Sequence, residues 1–374
     1  MLCRLCEKEN RDTARFCDGC GGALDATITK TGIDPELDAV RRAFEERYVV
    51  ESLLGRGGMG NVYKARERTL DRHVALKIVP ESRSSDASFI ERFRREARIA
   101  ARLRHPRIVS VHEVGTLGPF PYFSMDYIEG STLRAVVERR HFLPHEDSIS
   151  IVVEICRAVA HAHAKGIIHR DLKPENVMID TEGDVFVLDF GLARAVEEET
   201  SLTQPGMIVG TPFYMSPEQL AGRKLDERSD VYSIGLVLYY CLTGADLFRA
   251  DGMTGVLAKH ATTRIRDVLQ MHPLPGSLED VLVSMIEEDP NMRARSVKES
   301  LERLTLRKIV ALGLAATAGQ GEEPVTADTS TVALAAQAIG VAPEEDDKTT
   351  PEDSRIVAAA DRRKARLRSL LDTM

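Results

Sequence analysis

The sequence lacks an excess of basic residues. Its 50 lysines and arginines are outnumbered by 58 aspartates and glutamates, which gives a formal net charge of -8 at pH 7. Proteins that bind nucleic acid or a membrane surface through charge usually carry a basic excess, so this balance argues against both classes. A phosphate-bearing ligand is not excluded, because a few lysines and backbone N–H groups suffice to build a local phosphate site.

Long apolar runs are also missing. The longest in the C-terminal part covers residues 309–318, whereas a helix that spans a bilayer needs about 20 apolar residues. The N-terminus is polar and rich in cysteine, so no signal peptide is expected. These features predict a cytoplasmic protein without a membrane span, in a compartment where paired cysteines hold metal more often than they form disulfides.

The six cysteines fall into two groups. Cys156 and Cys241 lie inside apolar runs and are expected to be buried as small hydrophobic side chains. The other four form two Cys-x2-Cys pairs with ten residues between them: Cys3, Cys6, Cys17 and Cys20. Thiolates at this spacing are typical of a four-coordinate zinc site.

Residues 1–24 are therefore predicted to be a small zinc-binding unit. A segment of this length cannot bury a core, so a bound metal would have to supply the folding energy. The stretch RFCDGCGGAL resembles the short zinc ribbons at the ends of many bacterial proteins. Structural zinc is the leading interpretation, and a redox-sensing thiol cluster is the alternative. The balanced charges around the cysteines disfavour nucleic-acid binding and favour a module for protein interaction or regulation.

The next part of the chain divides into a strand-rich and a helix-rich portion. Residues 25–46 are predicted to be a linker that ends in a helix, because Asp34-Pro35-Glu36 has the cap, the proline and the acidic first turn of a helix start. From Tyr48, short β-branched runs alternate with turns, whereas after Ser131 the apolar spacing is mostly helical. An α+β fold with two lobes is predicted.

The helical pattern weakens towards the C-terminus. Residues 304–374 are predicted to form an alanine-rich and charged tail that is largely disordered. Residues 354–371 have the spacing of one basic helix. Binding of a protein partner and simple exposure to solvent are both open for this helix.

A glycine-rich segment follows the first predicted strand. Gly55, Gly57 and Gly60 lie between two strand-like runs, which predicts the tip of a hairpin. Glycines there let the backbone close over phosphates without a clash of side chains. The motif alone is a weak signal, and a plain flexible hairpin is the alternative.

A lysine on the next strand strengthens the phosphate interpretation. Lys77 ends the apolar run Val74-Ala75-Leu76, and a cation in such a strand needs an anionic partner. Glu96, on the charged helix that follows, can supply one carboxylate. Nucleotide phosphates can supply the other negative charge.

A polar cluster interrupts the helical part at residues 169–176. It contains a potential base, Asp171, a cation, Lys173, and an amide ligand, Asn176. Asp189 follows at the end of a short strand, directly before Phe190-Gly191. Amide and carboxylate oxygens are the ligands that magnesium prefers, so Asn176 and Asp189 are predicted to bind this metal.

In order and spacing, these motifs resemble those of the eukaryotic-like serine/threonine protein kinases of bacteria. The matching segments are the glycine-rich loop, Val74–Lys77, Glu96, His169–Asn176, Asp189–Gly191 and Ser216–Glu218. Asp230 and Arg293 match two late structural positions. The resemblance covers residues 47–303, and it implies the bilobal protein kinase fold with a β-rich N-lobe and an α-helical C-lobe.

The resemblance also implies a reaction. The chain would transfer the γ-phosphoryl group of ATP to serine or threonine of protein substrates, with Mg²⁺ or Mn²⁺. Asp171 would accept the proton of the substrate hydroxyl, and Lys173 would neutralise the γ-phosphate. Asn176 and Asp189 would hold the metal.

The nucleotide site follows from the same resemblance. Lys77, paired with Glu96, would hold the α- and β-phosphates beneath the glycine-rich loop. Val62 and Ala75 would cover the adenine from above, and Met178 would lie below it. Met125 would be the gatekeeper, and the backbones of Asp126 and Ile128 would bind the adenine edge. Ordinary core packing is the alternative for each apolar member.

Regulation by phosphorylation is a further implication. Arg170 precedes the proposed base, and in this family such an arginine usually pairs with a phosphorylated residue of the activation loop. Autophosphorylation at Thr200, Ser201 or Thr203 is the hypothesis, and an ordinary polar loop is the alternative. Thr211 resembles the residue that contacts the catalytic aspartate.

The sequence departs from the family pattern in two places. Ser216 stands where alanine is usual, and residues 243–248 lack the usual Pro-Phe pair of the substrate-docking region. Two other functions stay open: a pseudokinase scaffold, and a zinc-dependent binding protein. No charged catalytic position is missing, which disfavours the scaffold.

Overall fold

The structure is a computed structural model, and it describes residues 35–190, 212–271 and 274–306. The described chain divides into two compact units. The first contains residues 35–90 and 113–127, and the second contains the remaining described residues. The division predicted from the change in periodicity is confirmed, since strands dominate the first unit and helices the second.

The first unit is a five-stranded sheet with one helix packed on it. The elements are α1 (Pro35–Phe44), β1 (Tyr48–Gly57), β2 (Gly60–Glu67), β3 (Arg72–Ile78), β4 (Val111–Leu117) and β5 (Phe120–Asp126). The strand order is β1-β2-β3-β5-β4. Every pairing from β1 to β3 and on to β5 is antiparallel.

Helix α1 forms where the sequence predicted a helix start. Glu36 and Asp38 place negative charge in its first turn, where it interacts favourably with the positive end of the helix dipole and stabilises the helix. Val40 and Phe44 lie four residues apart on one face and are buried. The ring of Phe44 packs edge-on against Tyr122, with centroids 5.0 Å apart. The helix thereby completes the core of the first unit.

The second unit is mostly helical and contains a small antiparallel sheet in the order β6-β7-β8. Helix α2 (Ala87–Ala100) leads into it from the first unit. Its further elements are β6 (Gly130–Thr132), α3 (Leu133–Arg140), α4 (His145–His163), β7 (Val177–Asp180), β8 (Val185–Val187), α5 (Pro217–Leu220), α6 (Glu227–Thr243), α7 (Gly252–Thr262), α8 (Ile265–Met271) and α9 (Gly276–Met285).

The core of the second unit is built around α4 and α6. Cys156 on α4 and Cys241 on α6 are both fully buried, as predicted from their apolar surroundings. Burial raises the pKa of each thiol to about 12, so both are inert packing groups. Gly235 allows α6 to approach α9, because a Cβ there would lie 2.7 Å from Ile286 Cγ1.

Within the described ranges, no helix is long and apolar enough to cross a membrane.

Candidate active site

The glycine-rich segment is the tip of the β1–β2 hairpin, as predicted. Gly57 pairs with Gly60 across a two-residue turn. Gly60 has a φ of 147°, and a Cβ there would lie 2.7 Å from the backbone oxygen of Ile78. Only glycine fits this close approach of β2 to β3. At Gly55 a Cβ would meet no atom within 4 Å, so packing does not require that glycine.

Lys77 is buried in the first unit although it carries a charge. It is 4% exposed on β3, and its Nζ lies 5.6 Å from the centroid of the Phe123 ring. Glu96, on α2 in the second unit, is also 4% exposed. A buried ammonium and a buried carboxylate each need a charged or hydrogen-bonding partner. The Lys77–Glu96 pair remains a prediction.

Four of the proposed adenine residues lie on adjacent strands of the first unit. Ala75 on β3 pairs with Met125 on β5, and Asp126 pairs with Val74 one position away. Val62 on β2 pairs with Lys77 from the other side of β3. The two remaining residues belong to the second unit: Ile128 and Met178.

The proposed base lies at the centre of a tight polar cluster. Lys173 Nζ is 2.8 Å from Asp171 Oδ2, and Asn176 Nδ2 donates to the same oxygen at 3.1 Å. Asn176 Nδ2 also donates to the backbone oxygen of Asp171 at 2.8 Å. The structure therefore brings together the base, the cation and the amide that the sequence singled out.

A buried carboxylate holds the loop that carries this cluster. Asp230 Oδ2 accepts from His169 N at 2.7 Å and Oδ1 accepts from Arg170 N at 2.9 Å. His163 Nε2 lies 2.7 Å from Oδ2. Burial alone would raise the pKa of Asp230, but these hydrogen bonds lower it below its ordinary value. Asp230 is therefore ionised at neutral pH, although it is fully buried.

His169 is a second structural support, which sequence reasoning did not assign. Its Nε2 lies 2.9 Å from the Leu188 backbone oxygen, and its Nδ1 lies 3.3 Å from Asp171 N. Burial lowers the pKa of His169, so the ring is neutral, with Nε2 donating and Nδ1 accepting. The ring also contacts Phe190, with centroids 4.5 Å apart. The only sequence signal for this role was its place in the 169–176 motif.

Two residues of this site adopt unusual backbone conformations. Arg170 has a φ of 69° and Asp189 a φ of 42°, and neither is glycine. Non-glycine residues in this region cost free energy and are concentrated at functional sites. The surrounding hydrogen bonds, including that from Gln219 Nε2 to the Arg170 backbone oxygen at 2.7 Å, hold the chain in place.

Asn176 and Asp189 have the donor chemistry that magnesium requires. Since Asn176 uses its Nδ2 group on Asp171, its Oδ1 is the atom that can face a cation. Asp189 adds carboxylate oxygens. The part of the chain that the structure describes has no cluster of three or more His, Cys, Asp or Glu side chains that could hold a metal. This oxygen pair would therefore need phosphate and water to complete an octahedral shell.

The guanidinium of Arg170 has buried nitrogen atoms. Its Nε and Nη1 atoms are buried and have no hydrogen-bond partner among the described residues. Buried donors without acceptors are costly, so this position favours an anion. The proposed phosphorylation sites lie outside the described residues: Thr200, Ser201, Thr203 and Thr211.

The substitution of serine for alanine at position 216 has a structural role. Ser216 caps α5: its Oγ accepts from Gln219 N, and its backbone N donates to Gln219 Oε1. Glu218, two residues on, forms a buried ion pair with Arg293, with Nη1 and Oε1 2.8 Å apart. These contacts fix the segment that follows residues 191–211.

The segment 243–248, where the sequence departs from the family pattern, contains a buried carboxylate. Asp246, whose side chain is 3% exposed, lies 2.9 Å from Arg134 Nη2. The Tyr214 hydroxyl donates to Asp246 Oδ1 at 2.5 Å. Arg134 Nε also binds Glu175 Oε1 at 3.0 Å. An ionic cluster thus links this segment to the 169–176 motif.

Comparison with known proteins now identifies the family. The model of the protein kinase domain matches residues 48–303, more than half of the chain. The chain belongs to the protein kinase family.

Several curated bacterial proteins resemble this kinase domain. The serine/threonine-protein kinase PknB of Mycobacterium leprae is 41% identical over 68% of this chain and 42% of its own length. PknB of Mycobacterium tuberculosis is 40% identical over 68% of this chain and 42% of its own length. PrkC of Bacillus subtilis is 37% identical over 68% of this chain and 39% of its own length. The kinase domain thus spans about two fifths of the length of the curated relatives it matches.

The proposed zinc ligands lie outside the described residues: Cys3, Cys6, Cys17 and Cys20. They also precede the segment that matches the protein kinase domain.

Proposed function

We propose that the chain is a serine/threonine protein kinase that transfers the γ-phosphoryl group of ATP to protein substrates. The observation that carries the proposal is the Asp171–Lys173–Asn176 cluster, inside a domain of the protein kinase family. The names of the bacterial relatives support serine and threonine as acceptors. Lys173 supports the same choice through the resemblance described above.

Asp171 is the proposed general base. Its Oδ2 is held by Lys173 and Asn176, and Oδ1 would accept the proton of the substrate hydroxyl. The hydroxyl oxygen forms a bond to the γ-phosphorus while the bond from that phosphorus to the β–γ bridging oxygen breaks. Asp171 takes the hydroxyl proton, and ADP keeps the bridging electron pair. Lys173 offsets charge on the transferred group.

The nucleotide is held by the remaining residues. Lys77 would bind the α- and β-phosphates with Glu96 as its partner, and the glycine-rich hairpin would cover them with backbone N–H groups. The adenine residues named above would form the base pocket. Asn176 and Asp189 would hold Mg²⁺ or Mn²⁺, which supplies positive charge to the phosphate oxygens when it is bound.

The test is incorporation of radiolabelled ATP into protein serine and threonine. Three chains are compared: the native one, Asp171→Asn, and Asp267→Asn as a control for loss of one exposed carboxylate on α8. Label in the native chain and in the control, with a loss of about 100-fold or more in Asp171→Asn, supports the proposal. Equal label in Asp171→Asn refutes the role of Asp171. No label in any chain, with either metal and several protein substrates, refutes the activity and leaves the scaffold function.

We further propose that a phosphate in the loop after Asp189 activates the enzyme through Arg170. Two buried nitrogens of Arg170 have no partner among the described residues, which supports this, since a phosphate adds charge and strong acceptors. Thr200, Ser201 and Thr203 are the proposed autophosphorylation sites. Phosphopeptide mapping of an active preparation tests them, and an unmodified loop would contradict the proposal.

We also propose that the N-terminal cysteines hold one structural zinc. The support is their spacing, and a cytoplasmic location, expected for such a site, is part of the same proposal. Zinc analysis of a reduced chain should give about one atom per molecule, and a chain without residues 1–24 should give none. A protein partner at this segment or at residues 354–371 would be lost from pull-downs with the corresponding truncation.

A further inference from the structure

Helix α1 is firmly attached to the edge of the five-stranded sheet. It precedes residues 48–303, which match the protein kinase domain, so it is an addition to that domain. Arg41 Nε donates to the Val50 backbone oxygen at 3.1 Å, and Nη2 donates to that of Glu51 at 2.8 Å. Val40 and Phe44 are buried at 1% and 0% exposure. The helix is therefore anchored along its C-terminal half.

The N-terminal turn of the same helix reaches the glycine-rich hairpin. Glu36 Oε2 lies 2.9 Å from Arg56 Nη1, and Glu36 Oε1 accepts from Asn61 Nδ2 at 3.0 Å. Arg56 stands between Gly55 and Gly57, and it pairs with Asn61 across the hairpin. One carboxylate thus contacts both strands beside the turn.

The Glu36–Arg56 ion pair and the Asn61–Glu36 hydrogen bond are expected to contribute differently to the restraint. The Arg56 and Glu36 side chains are 46% and 27% exposed, and ion pairs at such sites contribute little alone. Asn61 is only 5% exposed, so loss of its acceptor would leave a buried amide unsatisfied. The Asn61 bond should therefore restrain the hairpin more than the ion pair does.

We propose that Glu36 is a positioning residue that restrains the glycine-rich hairpin for binding of the ATP phosphates. A hairpin with glycines at four positions has wide backbone freedom, and an external restraint lowers the entropy cost of closing it over a ligand. The effect on ATP rests on the proposed kinase function. The restraint itself does not, because it is a property of the hairpin without nucleotide.

A purely structural role for Glu36 gives different expectations. As an acid in the first turn, it could serve only to stabilise α1 through the helix dipole. Asp38 offers a matched control, because it lies in the same turn and its Oδ1 is 3.7 Å from Arg41 Nη1. Asp38→Asn and Glu36→Gln each remove one negative charge from that turn. A dipole effect would be similar in the two variants.

The first measurement is hydrogen–deuterium exchange of residues 55–61 in the full chain without nucleotide. We expect faster exchange in Glu36→Ala, a smaller increase in Glu36→Gln, which can still accept from Asn61, and native exchange in Asp38→Asn. Native exchange in Glu36→Ala would overturn the proposal. So would an equal increase in Asp38→Asn.

The second measurement is steady-state phosphotransfer. The KM for ATP should rise about three- to tenfold in Glu36→Ala, with kcat within about twofold of native, because Asp171 and Lys173 lie in the other unit. The double variant Glu36→Ala/Asn61→Ala should show no further rise over Asn61→Ala alone, apart from the weak Arg56 contribution. An unchanged KM would overturn the link to ATP. Altered exchange in a chain without phosphotransfer would instead refute the kinase function and leave the restraint standing.

Discussion

Asp230 gives a direct test of how the loop with the proposed base is held. Its two oxygens accept from His163, from His169 N and from Arg170 N, all within 2.9 Å. Asp230→Asn keeps the shape of the side chain but replaces one oxygen by an NH₂ group. Whichever way the amide turns, at least one backbone N–H then faces a donor in place of an acceptor.

The expected loss of activity in Asp230→Asn follows from the number of donors that lose their acceptor. If the amide keeps its oxygen towards His163 and His169, only the Arg170 N–H loses its acceptor. Leaving this one buried donor unpaired costs about 1–3 kcal/mol of free energy. The opposite orientation is disfavoured, because both His163 and His169 N then lose their acceptor. If this cost falls on the active arrangement of the loop, kcat should drop roughly 5- to 150-fold, since about 1.36 kcal/mol corresponds to a factor of ten.

The assay is phosphorylation of a serine/threonine substrate at saturating ATP. Asp226→Asn serves as the control, because it removes the same charge from the exposed cap of the same helix, α6, and asparagine still caps well. Thermal unfolding of both variants is followed in parallel, so that a global loss of folding is recognised. A folded Asp230→Asn chain with activity within about twofold of Asp226→Asn would refute the reasoning.

Three further outcomes are expected. Gly60→Ala should weaken nucleotide binding by at least about tenfold, measured by titration, because its Cβ would meet the backbone of β3. Arg293→Met should lower the free energy of unfolding, measured in urea, by about 3–5 kcal/mol, because it leaves the buried Glu218 carboxylate without its cation. Arg303→Met, at an exposed ion pair, is the control and should change this free energy by less than about 1 kcal/mol. Burial opposes ionisation of Glu218, but Arg293 lowers its pKa below the ordinary 4.5. The stability that this carboxylate contributes is therefore present above pH 4.5 and lost as pH falls through the lower folded pKa, so the native chain and Glu218→Gln should converge in acid.

The sequence by itself determined the local elements and the types of residue in the site. The β-branched runs from Tyr48 and the helical spacing after Ser131 predicted two units with different secondary structure, and both are present. The strand-like runs on both sides of the glycines predicted a hairpin tip, and the structure shows one. The 169–176 motif singled out Asp171, Lys173 and Asn176, and these three side chains lie together in the structure.

Only the tertiary structure decided which distant groups support those elements. Asp230 contacts His169 and Arg170, which lie about 60 residues earlier. Glu36 contacts Asn61, and Asp246 forms an ion pair with Arg134. Secondary structure follows from repeats of a few residues, which a sequence displays directly. Partners of this kind depend on how α1 packs on its sheet and α4 on α6, and packing is set by the shape of the whole core.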